Sequence, residues 1–257
     1  MALSKLNQAV ERLANIERKL DQAIDAASTL GYCGGNQPFG HITYAQHAED
    51  LIVANILTLI GIETPSYIDI GAHHPLRDSN TALFYRNGSR GINVEANPDL
   101  INEFQRRRPD DITLNVGVAP QPGTIDFYRI DRYSGRNTFD RNTAEQFVQA
   151  HRQFTIQDVI RVETVTLQHI IDRHCGAIYP DFMSIDIEGL DYDVLKSTDF
   201  SQSRPKVLCV ETTSGDNRSE DHRLAELLTE RGFYVQMRTL SNLICVDQSF
   251  RNQLWAN

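Results

Sequence analysis

Four short apolar runs in this chain each carry a carboxylate at or near their end. They are Tyr67-Ile68-Asp69-Ile70-Gly71, Gly91-Ile92-Asn93-Val94-Glu95, Phe182-Met183-Ser184-Ile185-Asp186 and Val207-Leu208-Cys209-Val210-Glu211. Runs of that length, bounded by turn residues and separated by helical patterns, are buried strands of a mostly parallel sheet. Parallel strands share one carboxyl edge, so Asp69, Glu95, Asp186 and Glu211 are expected to meet there. Like charges gathered at one edge need ligand hydroxyls, a ligand cation or a metal to compensate them. In open α/β sheets that edge is where ligands bind.

The first run breaks at Gly71-Ala72-His73-His74-Pro75. Gly71 has no Cβ to keep the backbone from a ligand. The second run ends in Glu95, an acid placed to accept from paired ribose hydroxyls. Neither G-x-G-x-x-G nor G-x-x-x-x-G-K-[ST] follows. A pyrophosphate needs several free N–H groups, and Pro75 lacks one. The expected ligand therefore has an adenosine-like end and no diphosphate, which S-adenosylmethionine satisfies. Asp69, Gly71 and Ala72 form the first part of its expected site, and Asn115 and Val116 lie beside an adenine ring. A nicotinamide oxidoreductase fits the missing fingerprint less well.

The net charge of −9 argues against nucleic acid as the main partner. With 40% hydrophobic and 23% charged residues, 257 residues suffice for one α/β domain plus an appendage. No apolar run approaches a membrane span. The first residues lead into a charged helix rather than a signal peptide. Cys33, Cys175, Cys209 and Cys245 are scattered, which reads as reduced thiols in a cytoplasmic protein.

Residues 1–30 are expected to be helical and to stand outside the main domain. Leu3, Leu6, Val10, Leu13, Leu20 and Ile24 keep a heptad seam over residues 3–27, interrupted at Glu17. The seam predicts a homo-oligomer, with packing on the chain's own domain as the alternative. Residues 31–42 are rich in glycine and read as a linker. A domain over 43–257 follows, opening on a helix from Thr43 to Ile60 with Thr43 as cap. The pattern then alternates strand and helix, with one strand over 112–119 and another over 123–130. Residues 131–160 are polar and without a clear pattern. The last two strands, joined at Ser241-Asn242, predict an antiparallel hairpin at one edge.

Methyl transfer from a sulfonium requires alignment of donor and acceptor and removal of the acceptor's proton. His73, His74, Asp186 and Glu188 are the candidate bases. Asp186 and Glu211 could instead hold Mg²⁺, which prefers oxygen ligands. Ser134, Arg136, Asn137 and Thr138, in the polar insertion, are candidates for contacts with the acceptor.

These residues together resemble the FkbM family of S-adenosylmethionine-dependent methyltransferases. The resemblance rests on Asp69-Ile70-Gly71-Ala72-His73-His74-Pro75, Ser79-Asn80-Thr81, Phe84-Tyr85 and Gly91 to Pro98. It continues through Asn115-Val116-Gly117-Val118, Asn137-Thr138-Phe139, Ser184 to Gly189 with Asp191 and Leu195, Arg204-Pro205 and Val210-Glu211. It spans about residues 43–215. It implies a class I methyltransferase fold, a Rossmann-like, mostly parallel seven-stranded sheet, and O-methylation of a sugar or glycan hydroxyl. It also implies cofactor contacts at Asp69, Gly71, Glu95, Asn97 and Asn115. The family often has asparagine where this chain has His73. The reading from another class is a non-catalytic glycan- or partner-binding module on the same fold.

Overall fold

The structure, a computed structural model, describes residues 40–131, 135–187, 189–212 and 218–254, with 218–221 as backbone only. The chain divides into two units, Met1–Ile42 and Thr43–Asn257. The architecture below is that of the second; the heptad seam at 3–27 lies outside the described residues.

Helix α1 (Glu49–Leu59) leads into strand β1 (Tyr67–Ile70), followed by α2 (Ala82–Arg86), β2 (Gly91–Val94), α3 (Pro98–Arg107) and β3 (Ile112–Leu114). An excursion follows: β4 (Gly117–Val118), β5 (Gly123–Arg129), α4 (Arg141–Ala150) and β6 (Asp158–Val165). The main sheet resumes with α5 (Leu167–His174), β7 (Phe182–Ile185), α6 (Asp191–Ser197) and β8 (Val207–Glu211). It closes with α7 (Arg218–Glu230), β9 (Phe233–Arg238) and β10 (Asn242–Asp247).

Seven strands form one sheet in the order β3-β2-β1-β7-β8-β10-β9, and β4-β6-β5 form a second, smaller one. β1 pairs in parallel with both β2 and β7, and β8 runs parallel to β7. β10 is antiparallel to β8 and β9. The expected hairpin is therefore present, but its second strand inserts inside the first, and β9 forms the edge. Chain order runs outward from β1 in one direction and from β7 in the other. The β1–β7 seam is thus the topological switch point, where a crevice opens at the carboxyl ends.

Side chains alternate between two apolar layers. Ile68, Ile70, Met183, Ile185 and Leu208 pack with Ile170, Ile171, Val194, Leu195 and Leu228 on one face. Tyr67, Phe182, Val207 and Cys209 pack with Val53, Ile56, Leu57 and Phe84 on the other. Burial on both faces explains why these strands read as unbroken apolar runs.

Local chemistry moves three expected boundaries. α1 begins at Glu49, and Ala48 holds its N-cap position at φ 64°. Thr43 is no cap: its hydroxyl donates to Asp50 Oδ1 at 2.6 Å. The expected strand 112–119 breaks at Asn115, whose carboxamide donates to the carbonyls of Glu95 and Ala96. β3 stays in the main sheet and β4 joins the small one. The patternless stretch 131–160 contains α4, capped by Asp140, which accepts from the N–H groups of Asn142 and Thr143.

Candidate functional site

A cavity of about 920 Å³ opens at the carboxyl ends of β1, β2, β7 and β8. The size is that of a site holding a drug-sized ligand. Gly71, Glu95, Asn97, Val116, Asp186 and Glu211 border it, joined by His73, Arg136 and Asn137.

The β1 turn explains why a diphosphate has no place here. The N–H groups of Gly71 and Ala72 both donate to Val94 O, at 2.9 and 3.0 Å. The N–H of His73 donates to Glu95 Oε2 at 2.7 Å. All three donors of the turn are spent on the end of β2. Gly71 has a different reason from the expected one. At φ +79° an added Cβ would stand 1.7 Å from Asp186 O. The missing side chain makes room for the neighbouring strand, not for a ligand.

Glu95 is the most fully held acid of the site. Oε1 accepts from Asn97 N at 2.6 Å and Oε2 from His73 N. Burial pushes its carboxyl up to about 7, against the pull of those two N–H groups and of a third, from Ala96. A carboxylate has about four lone-pair directions, so with three N–H donors on it Glu95 retains about one for a ribose hydroxyl. Asn97 also caps α3, its Oδ1 accepting from Asp99 N with Pro98 at the first helical position.

Across the switch point, Asp186 and Glu211 lie side by side and share a hydrogen bond. Burial, then the charge of Glu211, raises Asp186 well above the usual carboxylate range. Asp186 therefore holds its proton more tightly than an ordinary carboxyl, and the pair titrates as a unit. The backbone that carries Asp186 is fixed by Asp191, whose oxygens accept from Ile187 N and Gly189 N. Burial pushes Asp191 up to about 6. Among the described residues no cluster of three His, Cys, Asp or Glu side chains could hold a metal. Mg²⁺ needs only one or two carboxylates beside its waters, and Asp186 with Glu211 would be the pair to hold it.

Several residues expected at the site lie elsewhere. His74 does not border the cavity. Its Nδ1 accepts from Leu76 N and Arg77 N, at 3.1 and 3.0 Å. Burial lowers it to about 4, so it is a neutral turn residue whose basic nitrogen is occupied. Asp69 faces the opposite layer, where Thr81 Oγ1 donates to it at 2.6 Å. Thr81 in turn accepts from the buried guanidinium of Arg108. Ala72 is buried and Asn115 is committed to the carbonyls named above; neither borders the cavity. Thr138 turns its Oγ1 to Asp140 N at 3.0 Å. Glu188 and Ser134 lie outside the described residues.

The sequence reading expected the polar insertion to border the site, through Ser134, Arg136, Asn137 and Thr138, but did not name several other wall residues of the small sheet, the insertion and the turn before α1. Gln46, Phe127, Asp131, Gly135 and Phe139 border the cavity. Gly135 packs on His73, an added Cβ standing 3.6 Å from the imidazole Cε1. Phe139 stacks on Phe127 at 4.8 Å and fills the space beside Gly117. No local pattern announces these contacts, because they depend on the excursion folding back over the sheet edge.

A seven-stranded, mostly parallel sheet, a glycine turn and strand-tip acids around a switch-point cavity define a class I S-adenosylmethionine-dependent methyltransferase. The chain belongs to the FkbM methyltransferase family: the Methyltransferase FkbM domain matches residues 69–235. Its cofactor is S-adenosylmethionine, and the spent N–H groups of the β1 turn and the remaining acceptor capacity of Glu95 fit that ligand. No curated protein matches the chain. Among solved structures it is similar to a TehB-like methyltransferase from Corynebacterium glutamicum, at 11% identity over 91% of this chain and 97% of that one, TM-score 0.40. It is also similar to the O-methyltransferase from Bacillus cereus in complex with S-adenosylhomocysteine, at 14% identity over 88% of each chain, TM-score 0.38. A third is the 1,6-didemethyltoxoflavin-N1-methyltransferase from Burkholderia thailandensis, at 14% identity over 78% of this chain and 77% of that one, TM-score 0.39. Among the described residues no helix is long and apolar enough to cross a membrane.

Proposed function

We propose that the protein is an O-methyltransferase acting on a hydroxyl of a sugar or glycan. One observation carries this reading: the hydrogen-bonded Asp186–Glu211 pair on the cavity wall. Bound S-adenosylmethionine supplies an electrophilic methyl group. A sugar hydroxyl is a weak acid, and its oxygen attacks well only as its proton leaves. Glu211, hydrogen-bonded by Asp186, takes that proton, and the single negative charge the pair shared beforehand is neutralised as the methyl group moves from the sulfonium to the hydroxyl oxygen. Glu95 holds the ribose of the cofactor, with Gly71, Asn97 and Val116 around it. His73 and Arg136 border the acceptor's side. Mg²⁺ on the pair would replace this proton role with charge neutralisation.

Residues 1–30 form the oligomerisation segment and 31–42 the linker. The place of work is the cytoplasm; Cys175, Cys209 and Cys245 are free thiols, two of them buried.

Calorimetric titration with S-adenosylhomocysteine, in EDTA and in Mg²⁺, tests the cofactor site and the metal together. Micromolar binding that ignores the metal is expected. Methyl transfer from radiolabelled cofactor to a panel of sugars and nucleotide sugars tests the acceptor class. Transfer only to nitrogen or carbon acceptors would sink the O-methylation reading.

A further inference from the structure

We infer that the carboxamide nitrogen of Asn137 is a hydrogen-bond donor to the adenosine half of S-adenosylmethionine. The sequence reading gives Asn137 to the acceptor, so this assignment moves it across the site. It rests on the cofactor, not on the identity of the acceptor.

The orientation of the Asn137 amide is decided by its neighbours. Oδ1 accepts from Ile130 N at 2.9 Å and from Asp131 N at 3.3 Å. Two backbone N–H groups can face only the oxygen, so Nδ2 must occupy the other position. Asn137 is 6% exposed and borders the cavity. Its Nδ2 is buried and has no hydrogen-bond partner among the described residues. Buried polar groups are nearly always paired, and a carboxamide held rigidly by its oxygen, with its nitrogen unpaired at a ligand cavity, lacks a ligand atom.

The surroundings say which part of the ligand supplies that atom. On one side of Asn137 in sequence, Gly135 packs on the imidazole of His73, whose N–H holds Glu95. On the other side, Phe139 packs against Gly117, next to Val116 between β3 and β4. Asn137 thus stands between the residues around the ribose acid and those beside the expected adenine plane. Adenine ring nitrogens and ribose oxygens are acceptors; a carboxamide N–H₂ offers the matching donors. The methionine half of the ligand would lie instead toward the Asp186 strand.

The test uses Asn137→Asp, which keeps an oxygen for the two backbone N–H groups and replaces the donor with an acceptor. Asn137→Ala removes the donor without adding charge. Both are titrated in the full chain with S-adenosylhomocysteine and with 5′-methylthioadenosine, which has no amino-acid end. Each titration is run well below that variant's own melting midpoint. The expected result is a Kd weaker by roughly 10- to 100-fold, by the same factor for both ligands and in both variants. Loss confined to S-adenosylhomocysteine would place the donor at the amino-acid end and overturn the inference. Unchanged binding of both ligands would overturn it too, leaving Nδ2 to a buried water or to the acceptor.

Discussion

Glu95 and Asp186 are both acids forced upward by burial, yet they lead to different expectations. Glu95 reaches about 7, from an ordinary 4.5. A raised acid holds its proton more tightly in the folded protein, so its contribution to stability is complete below pH 4.5 and is lost as pH rises toward 7. At about 1.4 kcal/mol per pH unit, the loss is on the order of 3 kcal/mol. Ligand hydroxyls donate to the ionised form, so they reverse the preference. S-adenosylhomocysteine should therefore bind more tightly as pH rises from 6 to 8, by at most about tenfold per unit below 7, and level off above. Calorimetry across that range checks it, and Glu95→Gln should flatten the profile; an unchanged slope in that variant removes Glu95 from the cofactor site. Asp186 instead acts through its partner. Asp186→Asn keeps a donor to Glu211 but cannot exchange a proton. The rate of methyl transfer to an accepted sugar should fall by roughly 10²- to 10⁴-fold, while S-adenosylhomocysteine binds within about threefold of wild type. Equal losses in rate and binding would make Asp186 a ligand anchor rather than part of a base.

At the scale of elements, the site depends on how closely β1 and β7 approach beyond their last paired residues. Ile70 and Ile185 end the ladder, and Asp186 N then donates to Ile70 O at 2.9 Å. Gly71 admits this continuation, because any Cβ would enter the Asp186 carbonyl. Gly71→Ala should lower stability by upward of roughly 3 kcal/mol, from the strained φ and the overlap together. Urea unfolding of the unliganded protein reads it directly, and a midpoint equal to wild type would show that the seam can open without cost. This element was legible in the sequence, since an apolar run stopped by glycine has few alternatives. So were Glu95, Asp186 and Glu211, because parallel strands must bring their ends to one edge. Asp69 was not legible in detail: its place in the strand was clear, but the Thr81–Arg108 network that draws it away from the cavity comes from two other elements. His74 misled for a similar reason, its ring being bound by the turn it makes. Arg136 and Asn137 were legible as residues of a polar insertion over the site, but Phe127, Asp131, Gly135 and Phe139 were not, because the stretch has no periodicity and the pairing of β5 with β6 sets its place.

At the scale of the whole molecule, the matched family domain occupies residues 69–235 and the heptad seam stands well before it. The seam is narrow: Leu3, Leu6, Val10, Leu13, Leu20 and Ile24 at spacings of three and four, with one gap of seven across Glu17, and mostly Lys, Gln, Glu, Arg, Asp, Asn and Ala elsewhere. A helix meant to lie on a globular domain usually carries a wider apolar stripe than a coiled-coil seam. Three heptads are close to the shortest length at which such a seam signals a coiled coil, so replacing two of its leucines should dissolve the association outright. Leu13→Lys with Leu20→Lys, made in the full chain, should reduce the mass seen by light scattering to that of one protomer. S-adenosylhomocysteine affinity should stay within about twofold, because the cavity as lined by the described residues is built from Gln46 onward. A wild-type protein that already runs as one protomer at micromolar concentration would sink the oligomer. Loss of cofactor binding along with the mass change would mean something else: that association shapes the cavity, and that the acceptor is bound by an assembly rather than by a single chain.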